Sequence, residues 1–140
     1  MTLDNVLTSV RYNGAEVSVV GDLTRWGRTK TFSIDLVAGA ELKIAGYESD
    51  NCNGCKCSGL TIECDNGLIS NLDDWVATGA SSQDEYLSSE YTTPCQSTSA
   101  FFLQEPSNGA LKIWASNGEK YSWFKTIPLT TGKRFIHRTA

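Results

Sequence analysis

Four cysteines crowd into thirteen positions, Cys52, Cys55, Cys57 and Cys64 in a C-x2-C-x-C-x6-C pattern, and a fifth, Cys95, stands apart. Thiols at this density do one of two kinds of chemistry. In an oxidising compartment they close to one or two disulfides that staple a loop onto the following strand, and an odd count leaves one thiol free or paired between chains. In a reducing one, four thiolates around a glycine-bearing knuckle hold zinc, although this spacing departs from the paired C-x2-C ribbon. The disulfide reading is the stronger, because strand-rich extracellular modules use such staples. A Cys55 to Cys57 bridge is strained by its single intervening residue, so Cys64 or Cys95 is expected to pair back to the knuckle.

Oxygen donors flank this cluster. Glu48, Asp50, Asn51 and Asp65 surround it, and Asp73 and Asp74 follow one strand later. A structural calcium ion takes about six to eight such oxygens, but no EF-hand spacing is present. Solvated carboxylates and Asx turns are the competing reading.

A second candidate site is residues 22–28, where Trp26 stands among Asp22, Arg25 and Arg28. A flat apolar ring beside charged hydrogen-bonding groups suits the C–H face and hydroxyls of a sugar. The alternative is that Trp26 plugs the end of the fold. Tyr86 and Tyr91 either join a ligand surface or pin their own polar segment. Catalysis finds little support: the one histidine, His137, lies in a charged C-terminal strand pattern, and no nucleophile-elbow, phosphate-loop or dinucleotide motif occurs. We therefore expect no enzyme.

These groups need a scaffold, and the periodicity supplies strands. Val6, Thr8, Val10 and Tyr12 alternate with Leu7, Ser9 and Arg11; Phe32, Ile34 and Leu36 with Ser33 and Asp35; Leu42 and Ile44 with Lys43; Leu60, Ile62 and Cys64 with Thr61 and Glu63; Leu111, Ile113 and Ala115 with Lys112 and Trp114. Residues 121–124 and 134–137 are shorter candidates. Trp114 falls on the outward parity unless a second layer covers it. Asn-Gly occurs five times, beginning with Asn13-Gly14, and suits the positive φ angles of type I′ hairpins. No window keeps a helical apolar stripe, and residues 77–99, rich in Ser, Thr and Gln, read as a surface loop. The pattern predicts an all-β chain, an antiparallel β-sandwich of jelly-roll type, forming one domain over residues 1–140.

Composition narrows the partners. The chain carries 12 Lys and Arg against 16 Asp and Glu, a net charge of −4, which disfavours nucleic acid and anionic membrane surfaces. No apolar run approaches the roughly eighteen residues of a membrane span, and no leader peptide is visible.

The order of pieces through the first half resembles the galactose-binding-domain-like jelly rolls. Asp4-Asn5 leads a strand into Tyr12-Asn13-Gly14; Trp26 and the alternating 32–36 run follow; Gly39 precedes Leu42-Lys43-Ile44-Ala45; then come Gly59-Leu60-Thr61-Ile62-Glu63 and Asp73-Asp74-Trp75-Val76. The cysteine-rich insert at 51–57 departs from the family pattern, and the chain from residue 77 onward matches loosely. The resemblance implies a non-catalytic extracellular module that recognises a glycan or cell-surface protein, sometimes with calcium at the sandwich edge, and a buried Trp75. A different class of function is a structural subunit of a coat, fibre or matrix, self-associating through edge strands and the spare cysteine.

Overall fold

The computed structural model describes residues 1–4, 6–25, 28–35, 37–48, 54–56, 58–65, 67–80, 90–97, 109–116 and 120–127. Among the described residues there are nine strands: β1 (Thr2–Asp4), β2 (Val6–Tyr12), β3 (Ala15–Glu16), β4 (Leu42–Tyr47), β5 (Gly59–Thr61), β6 (Trp75–Ala80), β7 (Cys95–Gln96), β8 (Ile113–Trp114) and β9 (Tyr121–Thr126). They form two antiparallel sheets, one of four strands in the order β1-β5-β8-β7 and one of five in the order β3-β2-β4-β9-β6. Among the described residues there is no α-helix, only a 3-10 turn at Gly54–Lys56, and no helix is long and apolar enough to cross a membrane.

Local sequence explains the pairing. Asn13 (φ 49°) and Gly14 (φ 80°) make the positive-φ turn that joins β2 to β3. Asn13 is more than a turn residue: its side-chain oxygen accepts the Glu41 amide at 2.9 Å and so ties the hairpin to the start of β4. In β2 the buried residues are Leu7 and Val10, three apart. Strict alternation cannot bury both, and the strand solves this with a register shift between Leu7 and Ser9 that turns Val10 back to the core.

Three expectations are corrected. Residues 77–80, read as part of a loop, belong to β6; Ala77-Thr78-Gly79-Ala80 is buried but too small and weakly apolar to show a strand's alternation. Phe32 and Ile34 are half-buried while Ser33 and Asp35 are exposed, yet this run is not a strand, and only Thr31 pairs, in an isolated bridge with Val20. Trp114 is fully buried, its ring 5.5 Å from Phe124 of the opposite sheet in an edge-on arrangement. Trp75 is buried as expected, and its indole N–H donates to the Ile69 carbonyl at 2.9 Å. Residues 134–137, with His137, lie outside the described residues.

Leu3, Leu60 and Ile113 from the four-stranded sheet meet Leu7, Val10, Leu42, Ile44, Trp75, Ala77 and Phe124 from the five-stranded sheet in one core. At its centre the core-facing row of the larger sheet is small: Gly46 pairs with Ser122, and Ser122 with Gly79. Leu3 fills that hollow. A Cβ added to Gly46 would stand 2.6 and 2.8 Å from the two Leu3 methyl carbons, and Leu3, itself 0% exposed, has nowhere to retreat. Gly46→Ala is therefore expected to lower unfolding free energy by about 1–3 kcal/mol, measured by urea denaturation. Leu3→Ala alone costs about 2–5 kcal/mol. The double variant should lose less than the sum, because truncating Leu3 removes the methyls that the carbon added at position 46 would meet, and that carbon refills part of the space left.

Candidate functional site

Residues 21–25 and 28–30 lead out from and back to a neck made by the Val20–Thr31 bridge, closed by amide-to-carbonyl bonds of 2.8 and 2.9 Å. Gly21 adopts φ 125°, which side-chain-bearing residues rarely reach, and a Cβ there would lie 2.9 Å from the Thr29 carbonyl oxygen. Inside the loop the Asp22 carboxylate accepts from the Thr24 amide (3.0 Å) and hydroxyl (2.8 Å). These donors hold the Asp22 carboxyl below its ordinary pKa. Arg25 pairs with Asp22 at 3.4 Å, with both side chains exposed, so the pair adds little stability.

The loop is built around Lys30. This side chain is 0% exposed, and its ammonium donates to the carbonyls of Arg25 (2.7 Å) and Arg28 (2.8 Å). Burial lowers the Lys30 pKa because the charged form loses water, with the Asp22 carboxylate opposing. The backbone of the same residue donates to the Met1 carbonyl at 2.8 Å, which fastens the loop's end beside β1. Compact loops whose ends meet and whose own side chains fill them are frequently functional. Trp26 lies outside the described residues, although both carbonyls that Lys30 holds come from its near neighbours in sequence.

Lys30 also lines a cavity of about 600 Å³, within the range of small-molecule sites. One wall is residues 30–35 and the other is the tip of the hairpin that continues β5, at 63–65. Both walls are fixed. The Tyr12 hydroxyl donates to the Asp35 carbonyl (2.6 Å) and accepts the Val37 amide (3.0 Å), holding the far end of the first wall. The hairpin closes through the Glu63–Ile69 bridge and the Cys64 amide bond to the Leu68 carbonyl. Phe32 and Ile34 supply apolar surface, while Ser33, Asp35, Glu63 and Asp65 supply polar groups. Carboxylates only accept hydrogen bonds, so the cavity suits a ligand rich in donors that also has an apolar face. A second cleft, of about 330 Å³, runs between β2 and residues 16–19, and its lining mixes aliphatic residues such as Leu7 and Val17 with polar ones such as Ser9 and Glu16.

Of the residues proposed from sequence, the structure brings Asp22, Arg25 and Arg28 into the Lys30 loop and sets Asp65 on the cavity. Glu48 is buried and accepts from the Ser58 hydroxyl at 2.7 Å, which turns it into the protein and away from a surface ligand. Tyr91 lies on the outer face of the five-stranded sheet, with the Lys125 ammonium 4.2 Å from its ring centroid. Asp50, Asn51, Cys52, Cys57 and Tyr86 lie outside the described residues. Asp73 and Asp74 sit in an Asx turn, where the Asn71 side-chain oxygen accepts both of their amides and its NH2 donates to the Asp74 carboxylate. That is the turn reading of these carboxylates, and no metal-binding group of three such residues is found among the described residues.

Cys55 is bonded to Cys95 across a sequence separation of 40, which ties the 3-10 turn to β7. A bridge of that span contributes roughly 4 kcal/mol in the chain-entropy account. A disulfide sulfur is not a thiolate, so Cys55 in this bonded state is not available as a thiolate ligand.

Sequence reasoning missed two things. Phe32, Ile34 and Glu63 line the cavity; their alternation was visible, but it records one side facing a hollow. The outer sheet face, with Tyr47 stacked on Tyr121 at 4.6 Å and Arg11 6.0 Å from the Trp123 ring centroid, was also unassembled. Its signal is the shared parity of positions 43, 45 and 47 with 121, 123 and 125. Ala45, Thr78 and Trp123 at the centre of that face are buried, so it offers no open platform.

Comparison with protein-family models, curated proteins and solved structures finds no match. The cavity's free thiol gives a direct check on its geometry. Cys64 is half-buried, and loss of water around the thiolate pushes its pKa up from 9.0 to about 11. At pH 8 iodoacetamide should modify folded Cys64 about a hundredfold more slowly than a free cysteine, read by peptide mass spectrometry, with the rate climbing toward pH 11. The folded state holds this proton more tightly than the unfolded chain. The stability it contributes is thus complete below pH 9 and lost as the pH rises to about 11.

Proposed function

We propose that this chain is a non-catalytic extracellular recognition module that binds carbohydrate in the cavity between residues 30–35 and 63–65, beside the Lys30-centred loop. The observation that carries this reading is the pairing, in a hollow of about 600 Å³, of the apolar Phe32 and Ile34 with Ser33, Asp35, Glu63 and Asp65. A sugar has the matching duality: C–H faces that pack on a ring and hydroxyls that donate to carboxylates. The disulfide is compatible with an oxidising, extracellular setting.

The jelly-roll, galactose-binding-domain-like form belongs to the same proposal. It draws support from β9 inserting between β4 and β6, so that strands distant in sequence are neighbours in one sheet. A cell-surface protein as the partner would use the same loops. The structural-subunit reading keeps its own motive, edge strands and an odd cysteine; Cys64, free among the described residues, is half-buried on the cavity wall.

The test is equilibrium binding to a panel of neutral, amino and acidic oligosaccharides by isothermal calorimetry. Wild type should bind at least one class. Phe32→Ala should weaken it about tenfold through loss of ring packing, while leaving the thermal midpoint within a few degrees. Wild type that binds no member, or Phe32→Ala with unchanged affinity, would remove the cavity as a saccharide site.

A further inference from the structure

We propose that Lys30 is the positioning residue of this site, a buried ammonium that latches the Arg25 and Arg28 carbonyls beside the cavity wall that Lys30 itself begins. The inference rests on the saccharide reading only for its consequence in binding; the latch itself stands on geometry.

Three observations converge on this one side chain. Lys30 is 0% exposed, a rare state for a lysine. Two of its three N–H groups go to the backbone carbonyls of Arg25 and Arg28, at 2.7 and 2.8 Å. Neither carbonyl belongs to a strand, so the ammonium does for this loop what a ladder does for a sheet. Finally, Lys30 is itself part of the cavity wall, and its neighbours Thr31 and Phe32 continue that wall. A single residue thus holds the loop at one end and the ligand surface at the other.

The alternatives inside the loop are weaker. The Arg28 amide reaches the Arg25 carbonyl at 3.3 Å, and the Arg25 amide reaches the Asp22 carbonyl at 3.4 Å, both at the long limit of a hydrogen bond. The Asp22–Arg25 ion pair is exposed. Without the ammonium, little else among the described contacts fixes the stretch from Arg25 to Arg28. A methionine at position 30 keeps the length and apolar stem of the side chain and removes both donors. It also removes a buried charge, an exchange that is often neutral or favourable for global stability.

Lys30→Met is therefore expected to stay folded, with a thermal midpoint near wild type and unchanged amide exchange in β4 and β9. Its loop should open. Tryptic cleavage after Arg25 and Arg28, and amide exchange at Arg28, should each accelerate by at least about tenfold, as two charge-assisted hydrogen bonds are lost. Affinity for whichever panel oligosaccharide binds wild type should fall by at least about tenfold. Unchanged cleavage and exchange would overturn the latch, and an open loop with undiminished affinity would overturn the positioning role. If wild type binds nothing on the panel, the saccharide reading fails, and cleavage and exchange alone then decide the latch. Should Lys30→Met unfold, the wild-type protein decides: a slowly exchanging Lys30 ammonium signal, with scalar couplings across its hydrogen bonds to the Arg25 and Arg28 carbonyls, supports the latch, and its absence in the cold rejects it.

Discussion

Leu3 seats on Gly46 between the two sheets, and both walls of the candidate site connect to the strand that carries it. A side chain any larger than hydrogen at position 46 would meet the Leu3 methyls at 2.6–2.8 Å, so the hollow fixes β1 against the five-stranded sheet. β1 in turn pairs with β5 from Thr2–Thr61 to Asp4–Gly59. The continuation of β5 carries Glu63, Cys64 and Asp65, one wall of the cavity. The backbone just before β1 pairs with Lys30, through the Met1 carbonyl and the Lys30 amide, and Lys30 begins the other wall. Two walls distant in sequence are held apart by a fixed gap because both hang from one short strand.

The polar groups near these walls show the same economy of position. Ser70 sits fully buried, donates to the Leu111 carbonyl at 2.6 Å and accepts the Ile62 amide at 3.1 Å. It thereby joins the end of the hairpin to the segment leading into β8. Tyr12 does a similar task at the far end of the first wall, and Lys30 at the near end. Each is a side chain satisfying backbone groups that no sheet ladder reaches, which is the condition for irregular chain to keep a defined shape next to a core. The Cys55–Cys95 bridge closes the opposite side, where the 3-10 turn and β7 meet around the buried Trp114.

Much of the scaffold was legible in the residues. The apolar runs at 6–12, 42–47, 59–61 and 121–124 mark strands because residues such as Val10, Ile44, Leu60 and Phe124 meet in the core between the sheets. Asn13-Gly14 marks its hairpin because both residues must take positive φ. What failed did so for physical reasons. β6 is built of Ala, Thr and Gly around its tryptophan, and small residues buried on both faces carry no period. The bulge in β2 is written only in the spacing of Leu7 and Val10. The alternation of Phe32 and Ile34 reports one wet side and one half-covered side, which a cavity wall produces as readily as a strand. The loop at 22–28 could be chosen from composition, but nothing in its own residues identifies Lys30 as the group that closes it, since a lysine is read as solvent-exposed until its burial is seen.

The proposed site of ligand recognition lies between residues 30–35 and 63–65, on walls hung from β1. The most direct measurement is the backbone amide spectrum of the isotope-labelled protein, followed as the tightest-binding oligosaccharide is added. Shifts concentrated at Thr31, Ser33, Asp35, Glu63, Cys64 and Asp65, with the outer face around Tyr47 and Tyr121 unchanged, are the predicted result. Saturable shifts on that outer face, with the two walls silent, would contradict it.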